Sequence, residues 1–184
     1  MTVLASRAQL RASFFRWALF LVPVVLLLGF LSGAASGSGA ENPWFAALEK
    51  PATYPPPVTF GIVWSLLYVM MGLAAALVAS AWGARGRVIA LVMFVIQFAL
   101  NLAWSPVFFG LHELRWALYL LGVIDVAVLL TLVLFWRVRW QAGALLLPYL
   151  AWVCFASLLN YQLLELNPHA DGRDYSGAVQ RIEL

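Results

Sequence analysis

Apolar residues do not alternate with polar ones along this chain; they run together in stretches of about twenty, separated by short clusters that hold nearly all of the charge. A helix that crosses a hydrocarbon layer roughly 30 Å thick needs about 20 apolar residues. Five windows meet that length, at about 14–35, 58–82, 88–109, 114–136 and 142–164. Each can satisfy its own backbone as a helix, whereas the strands of a membrane barrel are about half as long and alternate apolar with polar side chains. The pattern predicts an all-α integral membrane bundle of five transmembrane helices within 14–167. A basic amino-terminal extension (1–13) precedes it, and a polar tail (168–184) follows. The one long connection covers 36–57, and three short turns carry Arg85 and Arg87, His112 to Arg115, and Arg137 to Gln141.

Composition removes the other classes. Of 184 residues, 64% are hydrophobic and 10% are charged, against roughly 45–50% and 25% in a soluble domain, so a globule could not be covered with polar surface. A single Cys (Cys154) and two His (His112, His169) exclude a disulfide scaffold and a structural metal site. The net charge of +3 is spread in ones and twos between apolar stretches, without the clustered face that a nucleic-acid partner requires. The first window also has the layout of a signal peptide, with Arg7, Arg11 and Arg16 ahead of an apolar core and the small residues Ser32 to Gly37 behind it. Its length favours a retained helix, as do Gly29, Gly33 and Gly37, whose four-residue spacing makes a packing ridge. Arg7, Arg11, Arg16, Arg85, Arg87, Arg137 and Arg139 fall on one side of the bundle, and Lys50, Arg115, Arg173 and Arg181 on the other. The imbalance places the amino terminus in the cytoplasm and the long loop outside.

The nine Trp residues divide by depth. Trp17, Trp82, Trp136 and Trp140 sit at span ends, where an amphipathic ring anchors at the headgroup level. Trp64, Trp104 and Trp152 sit inside spans with polar or aromatic companions at helical spacing: Tyr68 after Trp64, Gln97 and Asn101 before Trp104, Ala156 and Asn160 after Trp152. An indole N–H, an amide or a phenol facing lipid is unsatisfied, so these faces should turn inward. They make either hydrogen-bonded helix packing or an aromatic-walled pocket for a flat apolar ligand.

The long loop holds Asn42-Pro43-Trp44, Glu49-Lys50-Pro51 and Tyr54-Pro55-Pro56-Pro57. Its prolines predict a stiff, extended stretch, either a lid built on Pro55 and Pro56 or a turn that sets the entry angle of the second helix. Pro106 and Pro148 should open backbone groups to neighbouring helices. Asp125 lies near the middle of the fourth span, where an aspartate costs about 2.5–3.5 kcal/mol. It is read either as a functional group or as a neutral acid hydrogen-bonded to a neighbouring helix. Cys154 reads as a small buried residue, and no phosphate loop or Ser/His/Asp set is visible.

Several strings together resemble the translocator protein family, also called tryptophan-rich sensory proteins or peripheral-type benzodiazepine receptors. They are Lys50-Pro51 with Pro55-Pro56; Phe60, Trp64 and Tyr68 at four-residue spacing, running to Met71-Gly72; Asn101-x-x-Trp104-Ser105-Pro106-Val107-Phe108-Phe109-Gly110; Trp116-Ala117-Leu118; and Pro148-Tyr149-x-x-Trp152-x-x-Phe155-Ala156-x-x-Leu159-Asn160. The resemblance implies a five-helix homodimer in a bacterial cell membrane, with a pocket under the first loop that binds porphyrin, haem and benzodiazepine-type ligands and requires no cofactor. It implies Trp64 and Trp152 as paired indoles of that pocket, with Tyr68, Asn101, Trp104, Trp116 and Ala156 lining it; Asn160 lies on the same inward stripe as Trp152. The leading expectation is a porphyrin- and haem-binding protein with a sensory, scavenging or transport role. Two others stay open: an enzyme that degrades porphyrin with light and oxygen through Trp64 and Trp152, and a small-molecule transporter. Ala52 and Thr53 stand where the family commonly has aromatics, which loosens the expected lid. The residues after Tyr161 read Gln162-Leu163-Leu164-Glu165, so the sterol motif of animal members, which needs a basic residue there, is not carried over.

Overall fold

The computed structural model describes residues 7–173. Within them the chain forms α1 (Arg7–Ala35), α2 (Pro43–Ala47), α3 (Pro57–Ala79), α4 (Arg87–Ser105) continued by a π turn (Pro106–Gly110), α5 (Leu114–Val138) and α6 (Trp140–Leu166). Five of these are long and apolar enough to cross a membrane, and the described residues contain no strand. The neighbours run α1, α3, α6, α5, α4, with α4 returning to α1. The helical ends fall within a few residues of the predicted windows. The exception is α1, which is already helical at Arg7, so the end of the basic extension belongs to the first helix.

The core follows helical periodicity. Leu67, Met71, Ala74, Ala75 and Val78 on α3 meet Ile124, Val128 and Phe135 on α5 and Leu146, Tyr149 and Val153 on α6, all buried. α1 contributes Val25 and leaves Leu19, Phe20, Leu27 and Leu31 exposed, the arrangement expected of a helix whose other solvent is acyl chain. Small residues let the helices touch. A Cβ on Gly72 would lie 2.7 Å from Val22 Cα, and one on Gly143 would lie 2.9 Å from Trp136 Cα. Gly143 permits α5 and α6 to meet directly after Arg139, the single extended residue between them.

The glycine ridge expected on α1 is only partly one. Gly29 packs on the Tyr68 ring, with a would-be Cβ 2.3 Å away, but Gly33 faces Ser38 of its own loop. Gly37 ends the helix. At φ 62° it takes the left-handed conformation, while Ser38 N donates to Gly33 O at 3.0 Å and Gly37 N to Ala34 O at 3.2 Å. That pair of bonds is a Schellman cap.

Pro106 supplies the opened carbonyl expected of it. Lacking an N–H, it cannot bond Leu102 O four residues back, and Ser32 Oγ on α1 donates to that oxygen at 2.6 Å. The helix then widens, and Leu111 N closes on Pro106 O at 2.9 Å, the five-residue step of a π turn.

The loop is not extended throughout. Asn42 caps α2 by accepting from Phe45 N at 3.0 Å, and Pro43 takes the first helical position, the combination that favours a helix start. The short helix turns Trp44 and Phe45 into a second apolar cluster with Leu48, Phe108, Leu114, Ala117, Leu163 and Ala170. The first part of the tail folds back onto it. Trp44 Nε1 donates to Ala170 O at 3.3 Å, Gly172 N donates to His112 O at 3.0 Å, and Asp171 accepts from Arg115 N at 3.0 Å while pairing with the Arg115 guanidinium. Residues 1–6 and 174–184, including Arg181, lie outside the described residues.

Candidate functional site: an aromatic cavity beneath the loop

All five long helices and the loop enclose one cavity of about 530 Å³, within the usual range of small-molecule sites. α3 supplies Phe60, Trp64 and Tyr68 at four-residue spacing, which puts them on one face. α6 supplies Trp152, Ala156, Leu159 and Asn160; α4 and the π turn supply Asn101, Trp104, Ser105, Phe108 and Phe109; α1 supplies Gly29, Phe30, Gly33 and Ala34. The loop closes the top with Phe45 and Tyr54.

The rings brace one another. Trp64 lies against Tyr68 with centroids 5.2 Å apart, Phe60 meets Trp152 edge to face at 5.7 Å, Tyr54 stacks on Phe60 at 5.2 Å, and Trp104 stacks on Phe108 at 4.8 Å. Each such pair contributes about 0.5–1.5 kcal/mol beyond area burial, so the wall is held in place before any ligand arrives. Beneath it runs a buried polar floor. Tyr68 OH faces Asn101 Oδ1 at 3.4 Å, and Tyr149 OH donates to Gln97 Oε1 at 3.1 Å.

Two polar atoms of the lining are buried without a hydrogen-bond partner: Trp104 Nε1, a donor, and Asn160 Oδ1, an acceptor. Asn160 is 1% exposed, and its orientation is fixed by Nδ2 donating to Leu114 O at 3.1 Å. Burying either atom unpaired costs about 1–3 kcal/mol.

The lid is tied down. Lys50 Nζ donates to Phe45 O and, at 2.8 Å, to Leu48 O, and sits 4.3 Å above the Phe45 ring. Desolvation pushes its pKa below the usual lysine value, and it pushes the Tyr54 phenol above its usual value. Glu49 N donates to Asn167 Oδ1 at 2.8 Å and Asn167 Nδ2 to Glu49 O at 2.9 Å, while Thr53 Oγ1 bonds Gln162 Oε1 at 2.5 Å. The looseness expected from Ala52 and Thr53 is thus offset by polar ties to α6 and the segment after it.

Of the site residues expected from sequence, Trp64, Tyr68, Asn101, Trp104, Trp152, Ala156 and Asn160 line the cavity. Trp116 does not. It is 63% exposed on α5 with its ring against Tyr119, because Leu114, Ala117 and Leu121 set the inward face of that helix and Trp116 lies about 100° from Ala117. Pro55 and Pro56 also stand outside the lining, which takes their neighbours Tyr54 and Pro57 instead. Cys154 is exposed, not buried. Asp125 stands outside the lining; its Oδ2 accepts from Ser157 on α6 at 2.7 Å. Sequence reasoning missed Phe30, Phe45, Phe60, Phe108 and Phe109 as lining residues. Phenylalanine carries no polar atom that would force it inward in lipid, so only a place near Trp44, Trp64 or Trp104 could have signalled it, and Phe30 lacks even that.

Five membrane-length helices around an aromatic, loop-capped cavity define an integral, multi-pass membrane protein with an internal cavity of small-molecule size. The sequence pattern of the TspO/MBR family matches residues 20–166. The chain is 39% identical over 136 residues to the translocator protein of Homo sapiens, covering 73% of this chain and 80% of that one. It is 37% identical over 156 residues to the tryptophan-rich sensory protein of Cereibacter sphaeroides, covering 82% and 92%. It is also 37% identical over 138 residues to protein CrtK of Rhodobacter capsulatus, covering 74% and 86%. The chain belongs to the TspO/MBR family.

Proposed function

We propose that the cavity binds a porphyrin-type tetrapyrrole and that the protein serves a sensory, scavenging or transport role built on that binding. The observation that carries this reading is the combination of flat aromatic walls with two unanswered polar atoms, Trp104 Nε1 and Asn160 Oδ1, in a volume of about 530 Å³. A large planar ring with an apolar face and a few polar edge atoms matches those demands. Among the described residues that line the cavity there is no His, Cys or Met, and the two phenols that could ligate haem iron are already engaged, Tyr54 stacked on Phe60 and Tyr68 donating to Asn101. Metal-free porphyrin should therefore bind at least as well as haem.

Titration of the purified protein with protoporphyrin and with haem, read by quenching of Trp fluorescence, tests this directly. The expected result is saturable single-site quenching by both. Linear, unsaturated quenching by protoporphyrin would remove the reading.

A second reading, porphyrin breakdown driven by light and oxygen, is supported by the presence of both Trp64 and Trp152 in the cavity lining, where electron-rich indoles would lie beside the excited ring. Loss of the bound porphyrin spectrum only in light and air, abolished by Trp64→Phe or Trp152→Phe, would favour it. A transport path marked by Asp125 has less support, since Asp125 lies outside the lining; flux into proteoliposomes measures it. We infer further a homodimer in a bacterial cell membrane, with the amino terminus cytoplasmic. The basic residues support the orientation and the bacterial relatives support the location. Cross-linking in native membranes should trap a species of twice the chain mass.

A further inference from the structure

The seam between α1 and α3 is sealed at one end and open at the other. At the sealed end Gly72 lies against the Val22 backbone, and Gly29 lies against the Tyr68 ring. The helices run antiparallel, so eleven residues further along α1 and eleven back along α3 bring Gly33 and Gly61 to the same depth. Eleven residues are close to three whole turns, so this pair falls on the same interhelical face as Val22 and Gly72. Neither carries a side chain. The space around a Cβ on Gly61 is empty to 4 Å, and a Cβ on Gly33 would meet only Ser38 of its own loop.

Both glycines line the cavity, as do the neighbouring Phe30 and Ala34. Phe30 is at once a lining residue, edge-on to Tyr68 at 5.9 Å, and 46% exposed. Leu31, Val58 and Ile62 beside the seam are exposed and apolar, so the fissure faces acyl chains. Asn160, 1% exposed and with Oδ1 unpartnered, lines the same cavity. The top, by contrast, is fastened by Thr53 to Gln162, Glu49 to Asn167 and Trp44 to Ala170.

We propose that the fissure between α1 and α3 at Gly33 and Gly61 is a lateral portal, through which a membrane-dissolved, flat apolar ligand enters and leaves the cavity without the loop opening. The portal rests on the reading of the cavity as a ligand site. It accounts for a lid that is tied at several points above a site that must still fill.

The experiment uses the full chain in nanodiscs, with protoporphyrin as the probe and rates followed by stopped-flow Trp quenching. Gly61→Leu should slow association and dissociation together, by about tenfold each, while the dissociation constant changes much less than either rate. Slower release is the discriminating sign, because a side chain that merely filled the binding volume would speed release. Joining Thr53→Cys to Gln162→Cys with a bifunctional thiol reagent, in a Cys154→Ala background, should leave both rates as they were. Unchanged rates in Gly61→Leu, faster release in Gly61→Leu, or slowed entry after the loop is joined would each overturn the portal. A readout independent of porphyrin is labelling of Gly61→Cys in the same background. A lipid-soluble maleimide should modify it and a membrane-impermeant one should not; the reverse pattern, or no labelling by either, sinks the portal. If protoporphyrin fails to bind at all, the ligand reading falls, and the labelling experiment still decides whether the fissure opens to lipid.

Discussion

The polar character of this cavity rests on a few single atoms. Trp104 offers the lining an N–H with no partner and at the same time stacks its ring on Phe108. Replacing it with Phe removes the donor and keeps most of the stacking. Trp104→Phe should weaken protoporphyrin binding by about fivefold, the worth of roughly 1 kcal/mol for one hydrogen bond, without lowering the melting temperature; Trp116→Phe should leave binding unchanged. Fluorescence titration of the two variants beside the parent checks both halves. Ser32 works in the opposite direction, for stability alone. Its hydroxyl satisfies the Leu102 carbonyl that Pro106 leaves free, so Ser32→Ala should cost about 1–3 kcal/mol, read as a lower melting temperature in detergent, and Ser32→Thr should restore most of it. The polar members of the site could be found in the sequence because lipid makes orientation compulsory for them: Tyr68, Asn101, Trp104 and Asn160 had to turn inward. Trp116 had no such constraint, since an indole at the end of a span is equally at home facing outward.

At the scale of elements, the five spans were legible because hydrophobic length alone defines them, and their ends were fixed by Gly37, by Pro57 and by the polar turns. What escaped was the short α2, although Asn42-Pro43 announces a cap followed by a first helical residue. Three consecutive prolines at Pro55 to Pro57 dominated the reading of the loop and made all of it look extended. The docking of 167–173 was also out of reach, since it depends on Trp44 meeting Ala170 and on Asp171 meeting the amino-terminal end of α5, contacts far apart in sequence. A test of this assembly follows from Trp44, which is 2% exposed, stacks with His112 at 4.8 Å and packs on Phe108 at 5.4 Å. Trp44→Ala should remove about 3–5 kcal/mol from the lid cluster. Because that cluster is separate from the core between the spans, hydrogen exchange should rise in the amides of 42–54 and 167–173 while those of α3, α5 and α6 keep their protection. A uniform rise across the bundle would show that lid and core unfold as one unit.

For the whole molecule, the two ends of the bundle differ in kind. One end is built from tight turns with Arg85, Arg87, Arg137 and Arg139 around them, and Arg87 is fixed there by donating to Ala79 O and by lying 4.1 Å from the Trp82 ring. The other end carries the loop and the returning segment over the cavity, with Lys50, Arg115 and Arg173 as its cations among the described residues. Arg115 is paired with Asp171, so this end presents still less free positive charge than a count suggests. The retention of cationic loops on the cytoplasmic side supports the proposed orientation, with the tight turns inside and the loop with its cavity in the outer half of the bilayer. In a Cys154→Ala background, a membrane-impermeant maleimide added to intact cells should label Thr53→Cys, and should label Arg85→Cys only after permeabilisation. Labelling of Arg85→Cys in intact cells, with Thr53→Cys protected, would invert the molecule. The fissure between α1 and α3 would then draw its ligand from the cytoplasmic leaflet instead of the outer one, since Gly33 and Gly61 lie at the loop end of their helices whichever way the bundle is inserted.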